Sequence, residues 1–369
     1  MNMGMQMQLK RFFLARKKIT CLLFFILSMS RYQAHAEEHH KTVFLTGAAG
    51  FIGSNFLEYM FDKYPDYQFV VLDALTYAGS LDNIPEHIRQ SDRFKFLRGS
   101  VTNFSLVDEI MSHANFVVHF AAESHVEKSI NESDVFFETD TMGTYFMVKA
   151  LLNHANTVER FIHISTAEVY GTAEYDPMDE KHPLNPRSPY AASKAAADRI
   201  VYAFSCTYDI PAVIVRPFNN YGPRQHVEKM IPKFIVSAIN NEPLTIHGSG
   251  EQVRDWVHTY DVCVALDKIL HIPNFSKIKN QEINIASSNV VSVLDIAKLI
   301  LQHFNLPQSD YLHFTNDRPG QVMRHSASHQ KAKTLLDWEP SIDMEKGLKM
   351  TIEWYLNHPS YWKDLNCKK

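Results

Sequence analysis

A short apolar run over residues 41–46 leads directly into Gly47-Ala48-Ala49-Gly50-Phe51-Ile52-Gly53, and a helix-period stretch over 51–64 follows, with Ile52, Phe56, Met60 and Phe61 on one stripe. That passage restricts the fold more than any other in the chain. Glycines between a strand and a helix meet three separate needs: a tight turn, backbone N–H groups that can approach an anion, and close packing of helix on sheet. A parallel sheet with a dinucleotide pyrophosphate at its carboxyl edge uses all three.

The residues that follow keep the same alternation. Apolar runs at 69–73, 94–97, 116–120, 161–165 and 212–216 read as buried strands, with amphipathic stretches such as 105–113 between them. A long helix is expected over 192–208, carrying Lys194 in its first turn. Repeated βαβ units imply a parallel sheet covered by helices on both faces. After Arg216 the texture changes: Pro217, Pro223, Pro232 and Pro243, with Gly222, Gly248 and Gly250, punctuate short elements, and strand and helix signals follow at 282–285 and 293–304. The expected fold is α/β: a Rossmann-like doubly wound parallel sheet over 41–216, with some strand and helix from later segments, and a smaller C-terminal substrate-binding lobe over 217–369.

Residues 1–40 stand apart. Lys10, Arg11, Arg16, Lys17 and Lys18 precede an apolar run over 19–27 and Ala34-His35-Ala36 follows, the layout of a secretory signal peptide, with a run too short to span a bilayer comfortably. Two readings are open: export or membrane tethering, or a leader that is not made because translation starts at Met29. The chemistry argued below favours the cytoplasm. Lysine plus arginine (37) nearly balance aspartate plus glutamate (41), so no global field draws nucleic acid or an acidic membrane, and the expected partner is small. Cys21, Cys206, Cys263 and Cys367 are scattered without ligand spacing, so neither a disulfide framework nor a metal site is expected.

The strand after the glycine loop ends at Asp73, where a carboxylate can accept hydrogen bonds from an adenosine ribose and would repel a 2′-phosphate, which favours NAD over NADP. Tyr190 and Lys194, four apart on a helix, share a face, and an ammonium beside a phenol lowers its pKa from about 10 towards neutrality, making a base for a hydroxyl group. Thr166, at a strand end, can hydrogen-bond a hydroxyl under oxidation. Glu168 lies near the carboxyl end of the same strand and can take a carbon-bound proton made acidic by a neighbouring ketone; a plain dehydrogenase has no need of it. The structural alternatives are a turn-forming aspartate, an exposed helix pair and a solvated loop glutamate.

Beyond the leader the chain resembles the extended short-chain dehydrogenase/reductases, and specifically the nucleotide-sugar 4,6-dehydratases of the dTDP-glucose type. The resemblance rests on the glycine loop, on Asp73-Ala74-Leu75-Thr76-Tyr77-Ala78-Gly79, His119-Phe120-Ala121-Ala122-Glu123-Ser124-His125-Val126 and Tyr190-Ala191-Ala192-Ser193-Lys194, and on Arg216-Pro217-Phe218-Asn219-Asn220-Tyr221-Gly222-Pro223-Arg224-Gln225, Glu228-Lys229-Met230-Ile231-Pro232, Arg254-Asp255-Trp256 and Asp317-Arg318-Pro319-Gly320. It implies an NAD site built from Gly47, Gly50, Phe51, Ile52, Gly53, Asp73, Thr76, Gly79, Ser100, Val101, Ala121 and Ala122 with Tyr190 and Lys194. It also implies a cycle in which Tyr190 takes the sugar 4-OH proton while C4 passes hydride to NAD, Glu168 takes the C5 proton, water leaves from C6 and the hydride returns there. Glu123, Ser124 and Thr166 would face the sugar, Asn219 the sugar phosphate region, and Lys229 and Arg254 the pyrophosphate, with Glu228 also among the substrate-binding residues. A homodimer formed through helices near the Tyr190 segment is implied as well.

Three positions depart from that pattern. Dehydratases of the dTDP-glucose type carry an aspartate between the threonine and the glutamate, as acid for the departing hydroxyl, whereas this chain has Ala167. Asp140 stands where the family has asparagine, and Ser100 where it often has aspartate. Sequences around Ala167 also resemble dehydratases of GDP- or UDP-linked N-acetylglucosamine, which tolerate a small residue there. A UDP-glucuronate decarboxylase, a 4-epimerase and an inactive NAD-sensing binding protein on the same fold complete the alternatives; the retained Tyr190 and Lys194 argue against the last.

Overall fold

Strand β1 (Thr42–Thr46) lies between β2 (Gln68–Asp73) and β4 (Phe116–His119) and pairs with both in parallel. β3 (Phe94–Arg98) flanks β2, and β5 (Arg160–Ile164) and β6 (Ala212–Pro217) continue beyond β4; Glu282–Ile285 closes the far edge in parallel with β6. The order from that edge is Glu282–Ile285, β6, β5, β4, β1, β2, β3. The chain thus winds outward in both directions from β1, and the reversal between β1 and β4 leaves a crevice at the carboxyl ends of the strands. The computed structural model describes residues 41–316 and 324–366, the side chains of 364–366 excepted; the leader-like segment 1–40 and Asp317 to Gly320 lie outside the described residues.

The strands are apolar throughout because both faces are buried. Val43, Leu45, Val71, Val118, Ile162 and Val213 point to one side, under the helices Phe51–Lys63 and Thr259–His271. Phe44, Val70, Leu72, Val117, Phe161 and Ile214 point to the other, under Phe104–Met111, Gly143–Asn153 and Pro189–Tyr208. The alternation is the period of two that sends successive side chains to opposite faces.

The later chain builds a third core from Tyr221, Phe234, Ile235, Ile300, Leu301, Leu348 and Tyr355. Around it lie a small sheet of Asn219–Tyr221, Val253–His258, Val290–Ser292 and Arg324–His325 and a parallel pair of Leu244–His247 with Leu312–Thr315. Two of its segments return to the central sheet, Glu282–Ile285 as the edge strand and Thr259–His271 as a covering helix, and Thr42–Lys369 is one compact unit. Among the described residues, no helix is long and apolar enough to cross a membrane.

Asp267 ties the glycine-loop helix to that covering helix. It is buried and accepts hydrogen bonds from Tyr59 and Lys63 on Oδ2 and from Tyr64 on Oδ1, where His271 also sits. Burial alone would raise its pKa, but the partners His271, Lys63 and Tyr64 outweigh it and hold the carboxyl well below the usual carboxylate range. A depressed folded-state pKa stabilises the fold above the unfolded value of about 3.9, and the contribution fades as pH falls through the folded value. Asp267→Asn is expected to cost about 1–3 kcal/mol in denaturant unfolding at neutral pH, with the gap to wild type narrowing below about pH 4.

Candidate active site

The helix Phe51–Lys63 begins at Gly50, with no side chain capping its first turn. Its leading N–H groups are therefore available to an anion, and the helix dipole favours one there. Gly47 has φ +71°, and a Cβ on it would lie 2.6 Å from Ala121 Cα, so the turns after β1 and β4 touch only because this residue has no side chain. A Cβ on Gly53 would meet Ala48 Cα at 2.7 Å, whereas on Gly50 it would meet only the Gly47 carbonyl at 3.2 Å, leaving that face open. Asp73, at the end of β2, accepts the Ala49 N–H at 2.9 Å and the Leu75 N–H at 2.8 Å and so holds the glycine loop and its own following turn. Burial raises its pKa and those two N–H groups lower it.

A cavity of about 280 Å³ opens at this edge. Gly47, Gly50, Phe51, Ile52, Gly53, Asp73, Thr76, Gly79, Ser100, Val101, Ala121 and Ala122 all line it, together with Glu123, Ser124, Glu228 and Lys229. Thr166, Glu168, Tyr190, Lys194, Asn219 and Arg254 stand outside its wall, but Ile164 belongs to the wall and its carbonyl accepts the Lys194 ammonium at 2.7 Å. The open glycine face, the uncapped helix start and the carboxylate at the end of β2 fit the phosphates and ribose of a dinucleotide. Glu123 is 3% exposed and its Oε2 has no partner, an acceptor left for a ligand. The wall residues that were not foreseen include His226 and Tyr77, whose hydroxyl lies 3.0 Å from Ser124 Oγ. Tyr77 sits inside a quoted motif; His226 carries no local signal.

The helix bearing Tyr190 is Pro189–Tyr208, longer at its start than expected. Ser188 caps it by accepting the Ala191 N–H, and Pro189 already has the φ of a first helical residue. Tyr190 therefore occupies the first turn and Lys194 the next. Lys194 does not lower the Tyr190 pKa here as its spacing suggested. Burial is the main force raising it, Asp140 and Glu168 raise it further, and only a hydrogen bond with Thr166 pulls it back. Burial likewise lowers the pKa of Lys194, whose proton is directed at the Ile164 carbonyl.

After β5 the chain makes one 3-10 turn, Ala167–Tyr170, with Thr166 Oγ1 accepting the Glu168 N–H at 3.2 Å. Glu168 sits near the cations Lys229 and Arg254 and near His325, on all of which its charge acts. Arg254 is not spent on Asp255, which instead accepts Ser287 and Ser288 amides and the Ser287 hydroxyl; the guanidinium donates to the Val253 carbonyl. Burial lowers the pKa of Lys229, whose Nζ donates to Ser124 O at 2.8 Å across the crevice. Asn219 lies beside the same strand, its amide 3.4 Å from Asp255 O. Ala167 is 3% exposed and packs in the apolar cluster of Val169, Phe218 and Ala327. Ser100 is occupied with Thr102. Among the described residues, no group of three or more His, Cys, Asp or Glu side chains is placed to hold a metal ion.

Comparison with known proteins agrees with this geometry. The family described as GDP-mannose 4,6 dehydratase matches residues 44–351. The low-salt glycan biosynthesis protein Agl12 of Haloferax volcanii is 41% identical over 314 residues, covering 85% of this chain and 98% of that protein. A dTDP-glucose 4,6-dehydratase of Mycobacterium tuberculosis is 36% identical over 325 residues, 87% of this chain and 95% of its own. The crystal structure of a Bacillus anthracis dTDP-glucose 4,6-dehydratase in complex with NAD superposes with a TM-score of 0.80 at 33% identity, over 88% of this chain and 99% of that one. A family match across nearly the whole described chain, on a sheet that gathers the glycine loop, the tyrosine–lysine helix and the glutamate turn at one edge, places this protein in the GDP-mannose 4,6 dehydratase family, among the nucleotide-sugar 4,6-dehydratases of the extended short-chain dehydrogenase/reductases.

Proposed function

We propose that this protein is an NAD-dependent 4,6-dehydratase of a nucleotide-linked hexose, with dTDP-glucose as substrate and its 4-keto-6-deoxy form as product. One observation carries the reading: Glu168, a carboxylate with no role in a plain dehydrogenase, stands at the ligand edge close enough to Tyr190, Lys229 and Arg254 for its charge to act on all three. NAD, when bound, supplies a reversible store for one hydride, so no external oxidant is consumed. Tyr190 takes the proton of the sugar 4-OH, and Thr166 hydrogen-bonds the same oxygen. Glu168 then removes the C5 proton, acidified by the C4 ketone, and, with no acid at Ala167, passes it to the C6 hydroxyl, which leaves as water; C5 regains a proton from solvent. Lys229 and Arg254 balance the diphosphate, for which a guanidinium offers a bidentate fork. Glu123 and Ser124 face the hexose from the other wall, and Asn219 and Glu228 border the sugar phosphate.

The dTDP-glucose assignment draws on the Mycobacterium tuberculosis and Bacillus anthracis relatives. Ala167 favours a second reading, a GDP- or UDP-linked N-acetylglucosamine, because the acid associated with glucose substrates is missing. The proposal also takes residues 217–369 as the nucleotide-sugar lobe, the cytoplasm as the site of action and a homodimer as the working form, formed through Gly143–Asn153 and Pro189–Tyr208, where Leu152, Tyr202 and Tyr208 are exposed.

Mass spectrometry of products from dTDP-, UDP- and GDP-linked glucose and N-acetylglucosamine and from UDP-glucuronate tests the reading. Loss of one water supports it, loss of carbon dioxide from UDP-glucuronate marks a decarboxylase, and inertness towards the whole panel rules out the enzyme. Glu168→Gln should lower kcat by about 10²–10⁴-fold and stop solvent exchange at C5 while leaving NAD content unchanged; persistent exchange would show that another group is the base. Arg254→Ala should lower kcat/KM by about 10–100-fold, chiefly through KM, and steady-state kinetics would count against diphosphate binding if kcat alone fell.

A further inference from the structure

Residues Phe137–Met142 form a single π-helical turn, a widening that recurs at functional sites. It delivers Asp140 to a fully buried position, 0% exposed, between the helix bearing Tyr190 and the cavity wall. Asp140 Oδ2 accepts the Ser193 hydroxyl at 2.7 Å, next to Lys194, and Oδ1 accepts the Glu123 amide at 2.8 Å. The neighbouring residues brace the same helix: the Phe136 ring stands edge-on to Tyr190 with centroids 6.2 Å apart, and Thr141 Oγ1 donates to Ser193 O.

Two carboxylates act on Lys194, Asp140 and Asp198. Asp198 is neutralised by Arg216, which grips both of its oxygens, and by Arg199. Asp140 makes no ion pair among the described residues; Lys194 and Tyr190 face it from the helix and Glu123 from the loop after β4. His119 and His163, which also feel Lys194, are held neutral chiefly by burial. We propose that Asp140 is a positioning residue for the Tyr190–Lys194 pair, a carboxylate in no direct ion pair among the described residues, which pins the helix to the cavity wall and whose charge sets the pH range in which the pair acts; this rests on the reading of Tyr190 as the base. An asparagine makes the pin without the charge.

Burial pushes the Asp140 carboxyl up to about 6, while Lys194, the Ser193 hydroxyl and the Glu123 amide pull it down and the Glu123 charge adds to the rise. Once ionised, it raises the proton affinity of both Lys194 and Tyr190. The carboxylate therefore keeps a buried ammonium charged and makes the phenol harder to ionise.

Asp140→Asn separates the two roles, because the amide can accept from the Glu123 N–H and donate to Ser193 Oγ while carrying no charge. The test is the pH profile of kcat/KM of the NAD-loaded protein, alongside an NMR titration of ring-labelled tyrosine in which Tyr190→Phe identifies the Tyr190 signal. In Asp140→Asn both the Tyr190 titration and the acid limb of kcat/KM should move down by about one pH unit, with KM changed less than about twofold. Ser193→Ala, which cuts the pin and keeps the charge, should lower kcat and leave the limb in place. A Tyr190 titration unmoved in Asp140→Asn overturns the proposal, whether activity survives or is lost evenly at every pH. A wild type inert on every nucleotide hexose would sink the functional reading instead, and the tyrosine titration would still decide the role of Asp140.

Discussion

The buried Arg216–Asp198 pair holds the carboxyl edge of the central sheet together. Arg216, at the end of β6 and 1% exposed, contacts both oxygens of Asp198 at 2.8 and 2.9 Å and reaches Tyr170 Oη at 2.9 Å. Asp198 is on the helix that carries Tyr190 and Lys194, and it also accepts the Ser165 hydroxyl at the end of β5. Tyr170 closes the turn bearing Glu168, and its hydroxyl donates a hydrogen bond to Asn284 Oδ1 in the edge strand. One ion pair thus joins β5, β6, the edge strand, the glutamate turn and the Tyr190 helix. A pair this buried adds little over a well-packed apolar substitute, but removing either partner alone leaves a stranded charge worth about 3–5 kcal/mol.

On the other side of the crevice the constraint is steric. The loops after β1 and β4 approach so closely that only a glycine at 47 fits beside Ala121. That contact puts the uncapped helix start against the residues that follow β4, so the helix N-terminus, Glu123 and Ser124 line one cavity. The two halves of the site are then bridged by Asp140 within the sheet domain and by Lys229, which spans from the later segment to the Ser124 carbonyl.

Much of this was legible in the residues. Six strands and the glycine-loop helix follow from period and punctuation, and the proposed dinucleotide wall came from a loop whose glycines have no other good use. Long-range facts were not legible. Glu282–Ile285 reads as a strand anywhere, and only pairing with β6 makes it the edge of the central sheet. The helix start was misjudged because Ser188 and Pro189 follow a proline-rich loop that hides the cap. The Tyr190 phenol was expected to be activated by Lys194, but the spacing of two residues says nothing about the Ile164 carbonyl that occupies the ammonium or the buried Asp140 that opposes ionisation. The π turn that delivers Asp140 has no counterpart in a reading based on periods of two and 3.6.

The central claim is that the hexose gives up a hydrogen at C4 and recovers it at C6 within one turnover, while Glu168 handles C5. The most direct measurement is NMR and mass spectrometry of the product formed from the nucleotide hexose deuterated at C4. The account predicts that the deuterium appears at C6 of a 4-keto-6-deoxy product within the same molecule. Deuterium still at C4, as in an unreacted sugar or one epimerised by return of the hydride to C4, or deuterium lost to solvent, would contradict it.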